Sequence, residues 1–180
     1  MLNREDAVLV VIDVQGKLAG LMHGREQLFA ALAKLIRGCR ALGLPVVWVE
    51  QNPAGLGPTV PEVAAEMPAG LVPVPKRSFS CCGEPRFLAA LEACGRRQVL
   101  VCGIETHVCI YQTARDLAGA GYAVEVVADA VSSRRLPDRE IGLRGIERAG
   151  ARLTTVEMAL FEMLGAAEGP VFKEIVKIVK

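Results

Sequence analysis

The sequence predicts an α/β fold, a three-layer α/β/α domain around a Rossmann-like, mainly parallel sheet of six strands. The run Ala7–Ile12 is apolar and β-branched and does not alternate with polar residues, which is typical of a strand covered on both faces in a parallel sheet. Further short apolar runs follow, most of them separated by amphipathic helical segments. This alternation of strands and helices indicates one α/β domain over residues 1–180.

The remaining elements are placed by their spacing and by the residues that end them. Apolar residues three and four apart predict a helix over 24–42, and Gly43 ends it. Residues 51–68 are rich in proline and glycine and are expected to form a long loop. The other strands are expected at 45–50, 71–75, 98–102, 123–127 and 151–155, and the other helices at 84–93, 106–120, 138–148 and 157–164.

The composition excludes several classes of protein. A hydrophobic fraction of 52% is typical of a globular chain and not of a disordered one. A net charge of +1 gives no long-range field, so neither nucleic acid nor an anionic membrane is expected as a partner. No apolar run approaches the roughly 18 residues of a membrane span, and no signal peptide is expected at the N-terminus. We therefore expect a cytoplasmic protein with a small-molecule substrate.

Cys109 is the strongest candidate for a reactive group. The stretch Val99–Cys109 indicates a buried strand, a glycine break, a tight turn and the start of a helix. With Thr106 as the N-cap, Cys109 is expected at the third helical position, near the positive end of the helix dipole. This setting lowers a thiol pKa and supplies backbone N–H groups for an oxyanion. We interpret Cys109 as a nucleophile and most of the other cysteines as buried small side chains.

Two further candidates follow predicted strands. Asp13 comes directly after the first strand and Lys76 after the third, and the ends of strands one, three and four converge on one crevice in a doubly wound sheet. Lys76 would stabilise the thiolate, whereas Asp13 would accept the thiol proton and later activate water. The backbone N–H groups of Glu105 and Cys109 would hold the oxyanion. Both side chains also have a structural interpretation, Asp13 as a helix cap and Lys76 as a solvated surface charge.

Taken together, these motifs resemble those of the isochorismatase-like cysteine hydrolases. The resemblance runs over nearly the whole chain, from 10–15 (VVIDVQ) through 75–80 (PKRSFS) to 102–109 (CGIETHVC). Within that family, the small isochorismatase domain-containing proteins are the most similar subgroup, because they share the stretches 50–53 (EQNP) and 57–61 (GPTVP). Each fragment is weak alone, but the ordered set is specific.

The resemblance implies a catalytic site as well as a fold. It implies an Asp-Lys-Cys triad, carried in this chain by Asp13, Lys76 and Cys109. It also implies a cis peptide bond before the nucleophile, at Ile104–Glu105. The pocket walls are expected from five residues: Gln15, Gln51, Phe79, Ile104 and Thr106.

Departures from the family pattern bear on metal and substrate. Nicotinamidases of this family bind a metal through an Asp-x-His motif and a further histidine, whereas this chain has no histidine between His23 and His107. Neither a metal nor a cofactor is therefore expected. True isochorismatase activity would need cationic partners for two carboxylates, and only Lys76 and Arg77 are expected near the crevice. Arg134 is interpreted as a solvated or interfacial charge.

These observations predict a metal-independent cysteine hydrolase that cleaves a small amide or related C–N bond, or a vinyl ether, through a covalent intermediate on Cys109. Two different functions remain open: a catalytically silent binding or scaffold protein, and a thiol redox sensor that uses Cys109 or Cys81-Cys82. His107 is poorly placed for a Cys-His dyad, because side chains two residues apart at a helix start point in different directions. A homo-oligomer is expected, with 53–74 and 171–179 as contact surfaces.

Overall fold

The computed structural model describes residues 1–180, and a six-stranded sheet lies at its centre. The strands are β1 (Ala7–Ile12), β2 (Val46–Gln51), β3 (Val74–Lys76), β4 (Gln98–Ile104), β5 (Ala123–Ser132) and β6 (Arg152–Thr154). All neighbours pair in parallel, in the order β3-β2-β1-β4-β5-β6. The order reverses between β1 and β4, where a doubly wound sheet opens its crevice. The predicted α/β fold is confirmed.

Helices cover both faces of the sheet. They are α1 (Gly16–Gly20), α2 (Arg25–Ala41), α3 (Pro53–Leu56), α4 (Pro61–Ala64), α5 (Pro85–Ala93), α6 (Tyr111–Gly119), α7 (Leu136–Arg148), α8 (Val156–Leu164) and α9 (Gly169–Val179). Buried clusters of 27 and 19 residues join the sheet to α2, α8 and α9 on one face and to α5, α6 and α7 on the other. Leu9 and Val11 of β1 enter the first cluster, whereas Val8 and Val10 enter the second. The unbroken apolar run in the sequence therefore reflects burial on both faces.

The segment after β2 is more regular than the predicted loop. Prolines open the two short helices α3 and α4 at their first turns, where the fixed φ of proline suits a helix. Between them, the Thr59 N–H and hydroxyl donate to Glu50 Oε1 at 2.7 and 2.8 Å. The Trp48 indole donates in turn to Thr59 Oγ1 at 2.9 Å. These buried contacts fasten the segment to the end of β2 and so beside the crevice.

Two other regions have more regular structure than the sequence predicts. The C-terminal tail, expected as a contact surface, forms α9, which packs on α2 with Ile175 fully buried. The Lys34 ammonium also donates to the Val179 carbonyl at 2.8 Å. One side of this helix therefore packs on the core, and its use as a contact surface stays a prediction. Strands β4 and β5 run past their predicted ends to Ile104 and Ser132, with a register shift near Gly103.

No helix has both the length and the apolar character to cross a membrane.

Candidate active site

Asp13, Lys76 and Cys109 lie together at the carboxyl edge of the sheet. Asp13 follows β1, Lys76 ends β3, and Cys109 lies in the helical turn that follows β4. All three are buried, with exposed fractions of 2%, 2% and 7%. Strands β1 and β4 are neighbours at the reversal point, and the long Lys76 side chain reaches Asp13 from the edge strand. The strand order therefore brings together three residues that are far apart in sequence.

The Lys76 ammonium is fully paired within the protein. Nζ donates to Asp13 Oδ2 at 2.8 Å and to Gln51 Oε1 at 2.6 Å. It also lies 3.1 Å from each of the backbone carbonyls of Ser78 and Phe79. Burial alone would lower the pKa of Lys76, but the Asp13 carboxylate and nearby thiols raise it. The interpretation of Lys76 as a solvated surface charge is therefore wrong, and its three donors are all engaged.

The second oxygen of the Asp13 carboxylate has no partner within the protein. Oδ1 is buried and accepts no hydrogen bond from the rest of the protein, and the Cys109 thiol adjoins the carboxylate in the same pocket. Burial raises the pKa of Asp13 above its ordinary value, although Lys76 and Cys109 act in the opposite direction. Because the side chain caps no helix, the interpretation of Asp13 as a helix cap is wrong. Asp13 is held between an ammonium and a thiol.

The turn that carries Cys109 is wider than the predicted α-helical start. The Ile110 N–H donates to the Glu105 carbonyl at 3.2 Å, so the turn Thr106–Ile110 is π-helical and α6 begins only at Tyr111. The N-cap is Glu105, and Thr106 is the first residue of the turn, with a buried hydroxyl that has no hydrogen-bond partner. The predicted N-cap is therefore wrong by one residue, since the chain already has helical geometry at Thr106.

The predicted lowering of the thiol pKa is also wrong. Burial raises the pKa of Cys109, and the neighbouring Asp13 carboxylate raises it further, against the opposing effect of Lys76. A helix start acts on the thiol through groups close in sequence, whereas the dominant effects here come from burial and from a carboxylate on another strand. The thiol therefore keeps its proton at neutral pH, and attack by the sulfur needs a base that accepts this proton.

Replacement of Asp13 by asparagine is expected to make the Cys109 thiol more acidic. The substitution removes a negative charge that raises the thiol pKa and leaves the Lys76 ammonium, which lowers it. The rate of Cys109 alkylation by iodoacetamide, followed against pH by peptide mass spectrometry, should show a lower midpoint in Asp13→Asn than in the wild type. Lys76→Met should move the midpoint upward. An unchanged or higher midpoint in Asp13→Asn would contradict this electrostatic assignment.

Glu105 lies in the turn between β4 and Cys109. The Ile104–Glu105 peptide bond is cis, at the position that the family resemblance implies. The Glu105 N–H donates to no other group in the protein, so it is free to donate to a ligand. The Glu105 carboxylate accepts the Arg134 backbone N–H at 3.3 Å and its Nε–H at 3.1 Å. Arg134 is therefore paired with a residue of the site and is not merely a solvated charge.

A small pocket of about 120 Å³ opens beside Cys109. Gln51, Phe79 and Ile104, three of the five predicted wall residues, line it. Gln15 does not line it, because its side chain is fully buried in hydrogen bonds to the Gln51 backbone and the Gly57 carbonyl. Gln15 therefore supports the pocket indirectly, because it holds the backbone of the wall residue Gln51 in position.

Thr106 does not line the pocket either, since its side chain is completely buried. Three apolar walls that the sequence did not predict come from α1, α3 and the helical turn: Leu18, Leu56 and Val108. The alternation of strands and helices gives no signal for the first two, because they lie on short helices without a clear periodicity. Val108 directly precedes Cys109 in the sequence, and this adjacency is the one available signal for the third.

Three other candidate residues, His107 and the consecutive Cys81 and Cys82, do not line this pocket. His107 Nδ1 is 2.9 Å from Ser133 Oγ, and His107 does not line the pocket. Cys81 is buried beneath the site, where burial raises its pKa to about 12, and Cys82 is half-buried. All six cysteines are free thiols. No group of three or more His, Cys, Asp and Glu side chains is arranged to hold a metal ion.

Sequence comparisons relate the chain to a known family. The family model of the isochorismatase domain matches residues 7–158. Isochorismatase domain-containing protein 2 of Bos taurus is 42% identical over 97% of this chain and 83% of that protein. Isochorismatase domain-containing protein 1 of Danio rerio is 38% identical over 99% of this chain and 62% of that protein.

Solved structures show the same architecture. MAR1 ribonuclease of Caenorhabditis elegans has a TM-score of 0.93 and 36% identity, and the match covers 99% of this chain and 91% of that chain. The YcaC gene product of Escherichia coli, an octameric hydrolase of unknown specificity, has a TM-score of 0.91 and 23% identity, with 98% and 89% covered. At that identity, the second likeness shows the fold alone. With a family model over most of its length and relatives at about 40% identity, the chain belongs to the isochorismatase-domain family.

Proposed function

We propose that this chain is a metal-independent cysteine hydrolase that cleaves a small amide or a related C–N bond. One observation carries the proposal: the Asp13 carboxylate lies in the same pocket as the Cys109 thiol with one oxygen unpaired, while Lys76 donates to its other oxygen at 2.8 Å. A nucleophile beside a base that is itself held by a third group is the arrangement required for covalent catalysis. Membership of the isochorismatase-domain family supports the hydrolase class.

Acylation follows from these positions. Cys109 Sγ attacks the substrate carbonyl carbon as the thiol proton passes to Asp13 Oδ1. The carbonyl oxygen becomes an oxyanion, which the backbone N–H groups of Glu105 and Cys109 stabilise. The C–N bond then breaks, and the departing amine takes the proton from Asp13. Lys76 acts as a positioning residue, since it holds the carboxylate and balances its charge. The product is a thioester on Cys109.

Deacylation reuses the same carboxylate. Asp13 removes a proton from a water molecule, and the resulting hydroxide adds to the thioester carbonyl. The tetrahedral intermediate collapses with release of the carboxylic acid, and the Cys109 thiolate recovers its proton from Asp13. The oxyanion donors favour an acyl substrate over a vinyl ether, which develops no oxyanion during hydrolysis.

Substitution of Cys109 by alanine is expected to abolish amide hydrolysis, with a loss of about 10⁴-fold or more in kcat. Ammonia release from a panel of short amides measures turnover, and acid quench followed by peptide mass spectrometry detects the acyl group on the Cys109 peptide. Cys94→Ala is the matched control, because Cys94 precedes β4 at the opposite edge of the sheet. Full activity in Cys109→Ala would disprove the nucleophile assignment.

The name of the C. elegans relative raises RNA as another substrate class. The features of the site favour a smaller substrate, because the triad is buried, the pocket holds about 120 Å³, and the chain has a net charge of only +1. An RNA cleavage assay with wild type and Cys109→Ala decides between the two classes. Cleavage that disappears with the Cys109 thiol would replace the amidase proposal with a ribonuclease.

A redox sensor and a silent binding protein fit the site less well than a hydrolase does. A redox sensor needs an accessible thiolate, whereas burial raises the pKa of Cys109, Cys81 and Cys82. A silent binding protein would carry a buried ion pair and an unpaired carboxylate oxygen with no use for either, and both are costly to bury.

We also propose a homo-oligomer that uses the segment 53–74, where Val72 is 76% exposed.

A further inference from the structure

The pocket beside Cys109 offers no free cation to a ligand. Six of its nine lining residues are hydrophobic, and its charged members are two carboxylates, Asp13 and Glu105. Lys76 lies directly behind Asp13, but its donors are engaged by four acceptors of the protein. Arg77, the other cation expected near the crevice, lines a separate surface cleft. A carboxylate on the substrate would therefore find no counter-ion in this pocket.

Each carboxylate of the pocket already has its own cation. Asp13 is paired with Lys76, and Glu105 with Arg134 at 3.1 Å. The Glu105 side chain is 8% exposed, whereas that of Arg134 is 57% exposed, so the guanidinium neutralises Glu105 from the solvent side. The pocket is thus balanced in charge and has no strong attraction for a cationic substrate either.

The size of the pocket limits the substrate further. An apolar cavity of about 150 Å³ holds benzene, which has six heavy atoms. By proportion, the 120 Å³ beside Cys109 holds an acyl chain of about five carbon atoms, with the carbonyl oxygen directed at the backbone N–H groups. A pyridine carboxamide, or a ring that bears two carboxylates, exceeds this volume.

We infer that the site selects short, uncharged aliphatic amides and discriminates against amides that carry a carboxylate, and that the Glu105–Arg134 pair sets this charge preference. The inference rests on the proposed hydrolase function and names its substrate class. An anionic acyl group would lose its hydration in an apolar pocket beside two carboxylates. Glu105 and Arg134 are specificity-determining residues, because they decide whether an unpaired charge faces the pocket.

Paired alkylating reagents test this preference without any need for turnover. Iodoacetamide is uncharged and iodoacetate is its anionic counterpart of nearly equal size. Their rates of reaction with Cys109 in the whole protein, read by peptide mass spectrometry, are compared with those of N-acetylcysteine amide in the same buffer. The iodoacetamide-to-iodoacetate ratio is expected to be about tenfold higher at Cys109 than for the small thiol. Equal ratios would overturn the inference.

Two variants move this ratio in opposite directions. Glu105→Gln leaves the Arg134 guanidinium as an unpaired cation on the solvent side of the pocket wall that residue 105 forms, so the ratio should fall several-fold. Arg134→Gln leaves the Glu105 carboxylate unpaired, so the ratio should rise. A pair with a merely structural role would loosen the turn in both variants and shift both ratios in the same direction. That result would remove the specificity role from the pair.

Turnover extends the test to substrates. Isovaleramide and malonamate have the same number of heavy atoms and a similar shape, because malonamate has a carboxylate where isovaleramide has an isopropyl group. The value of kcat/KM should be about 100-fold higher for isovaleramide. Comparable hydrolysis of malonamate, or a preference for 3-aminopropanamide over butyramide, would overturn the inference and leave the hydrolase function standing. Absence of all amide hydrolysis with the alkylation ratio preserved would overturn the proposed function and support the charge preference of the site.

Discussion

Substitution of Gly103 by alanine is expected to destabilise the protein by about 4 kcal/mol or more. Gly103 has a φ of 120°, a conformation that L-residues avoid. A Cβ at this position would overlap the Ile12 carbonyl oxygen and lie 2.8 Å from the Ile12 nitrogen and carbonyl carbon. Ile12 pairs with Gly103 across β1 and β4, so relief would require separating the two central strands. Asp13 directly follows Ile12, and the turn that carries Cys109 begins shortly after Gly103. Activity should therefore be lost as well.

Gly121→Ala is the matched control for this prediction. Gly121 also has a positive φ, 85°, but no atom lies within 4 Å of the site of an added Cβ. This variant therefore carries only backbone strain, about 1–2 kcal/mol. Urea unfolding of both variants gives two free energies of unfolding, and their difference isolates the steric clash with Ile12. If Gly103→Ala unfolded at the same urea concentration as Gly121→Ala, the close approach of β1 and β4 would not matter for stability.

Much of the fold could be predicted from the sequence because burial leaves a local pattern. The run Ala7–Ile12 is apolar at every position because its alternate residues face two different buried clusters. The short helices α3 and α4 and the extended ends of β4 and β5 could not be predicted in this way. They depend on contacts with residues far away in the sequence, such as the hydrogen bond from the Gln15 side chain to the Gly57 carbonyl, and the periodicity of a short segment carries no such information.

In the site, too, some features follow from local sequence patterns and others depend on contacts made only on folding. Asp13 and Lys76 lie at the ends of recognisable strands and Cys109 lies in the turn that follows another, so their meeting follows from the topology. Local capping preference suggested Thr106 as the N-cap, whereas the turn is π-helical and its N-cap is Glu105. Helix α7 packs closely on this turn, since a Cβ on Gly142 would lie 2.9 Å from the His107 Cα. The thiol pKa and the Glu105–Arg134 pair depend on residues brought together only by folding. Sequence spacing therefore predicted the chemical groups and not their electrostatic state.

Substitution of Lys76 by methionine is expected to lower the free energy of unfolding by about 3–5 kcal/mol at neutral pH. It leaves the buried Asp13 carboxylate without its cation and removes the donor to Gln51 Oε1 and two backbone carbonyls. Asp13→Asn should be milder, because the ammonium keeps its three neutral acceptors. In the double variant Asp13→Asn/Lys76→Met neither charge is buried. Its loss in free energy of unfolding should therefore be smaller than the sum of the losses in the two single variants. All three variants should be inactive.

The pH dependence of these stabilities separates a buried charge from a simple packing defect. In Lys76→Met the Asp13 carboxyl loses its counter-ion, and burial then raises its pKa further above the value in the unfolded chain. A group whose folded pKa is raised stabilises the fold below its unfolded pKa, and this contribution is lost as the pH rises through its folded pKa. The stability deficit of Lys76→Met relative to the double variant should therefore shrink as the pH falls. Urea unfolding at a series of pH values measures this difference, and a constant deficit would show that lost packing, not the unpaired carboxylate, causes the destabilisation.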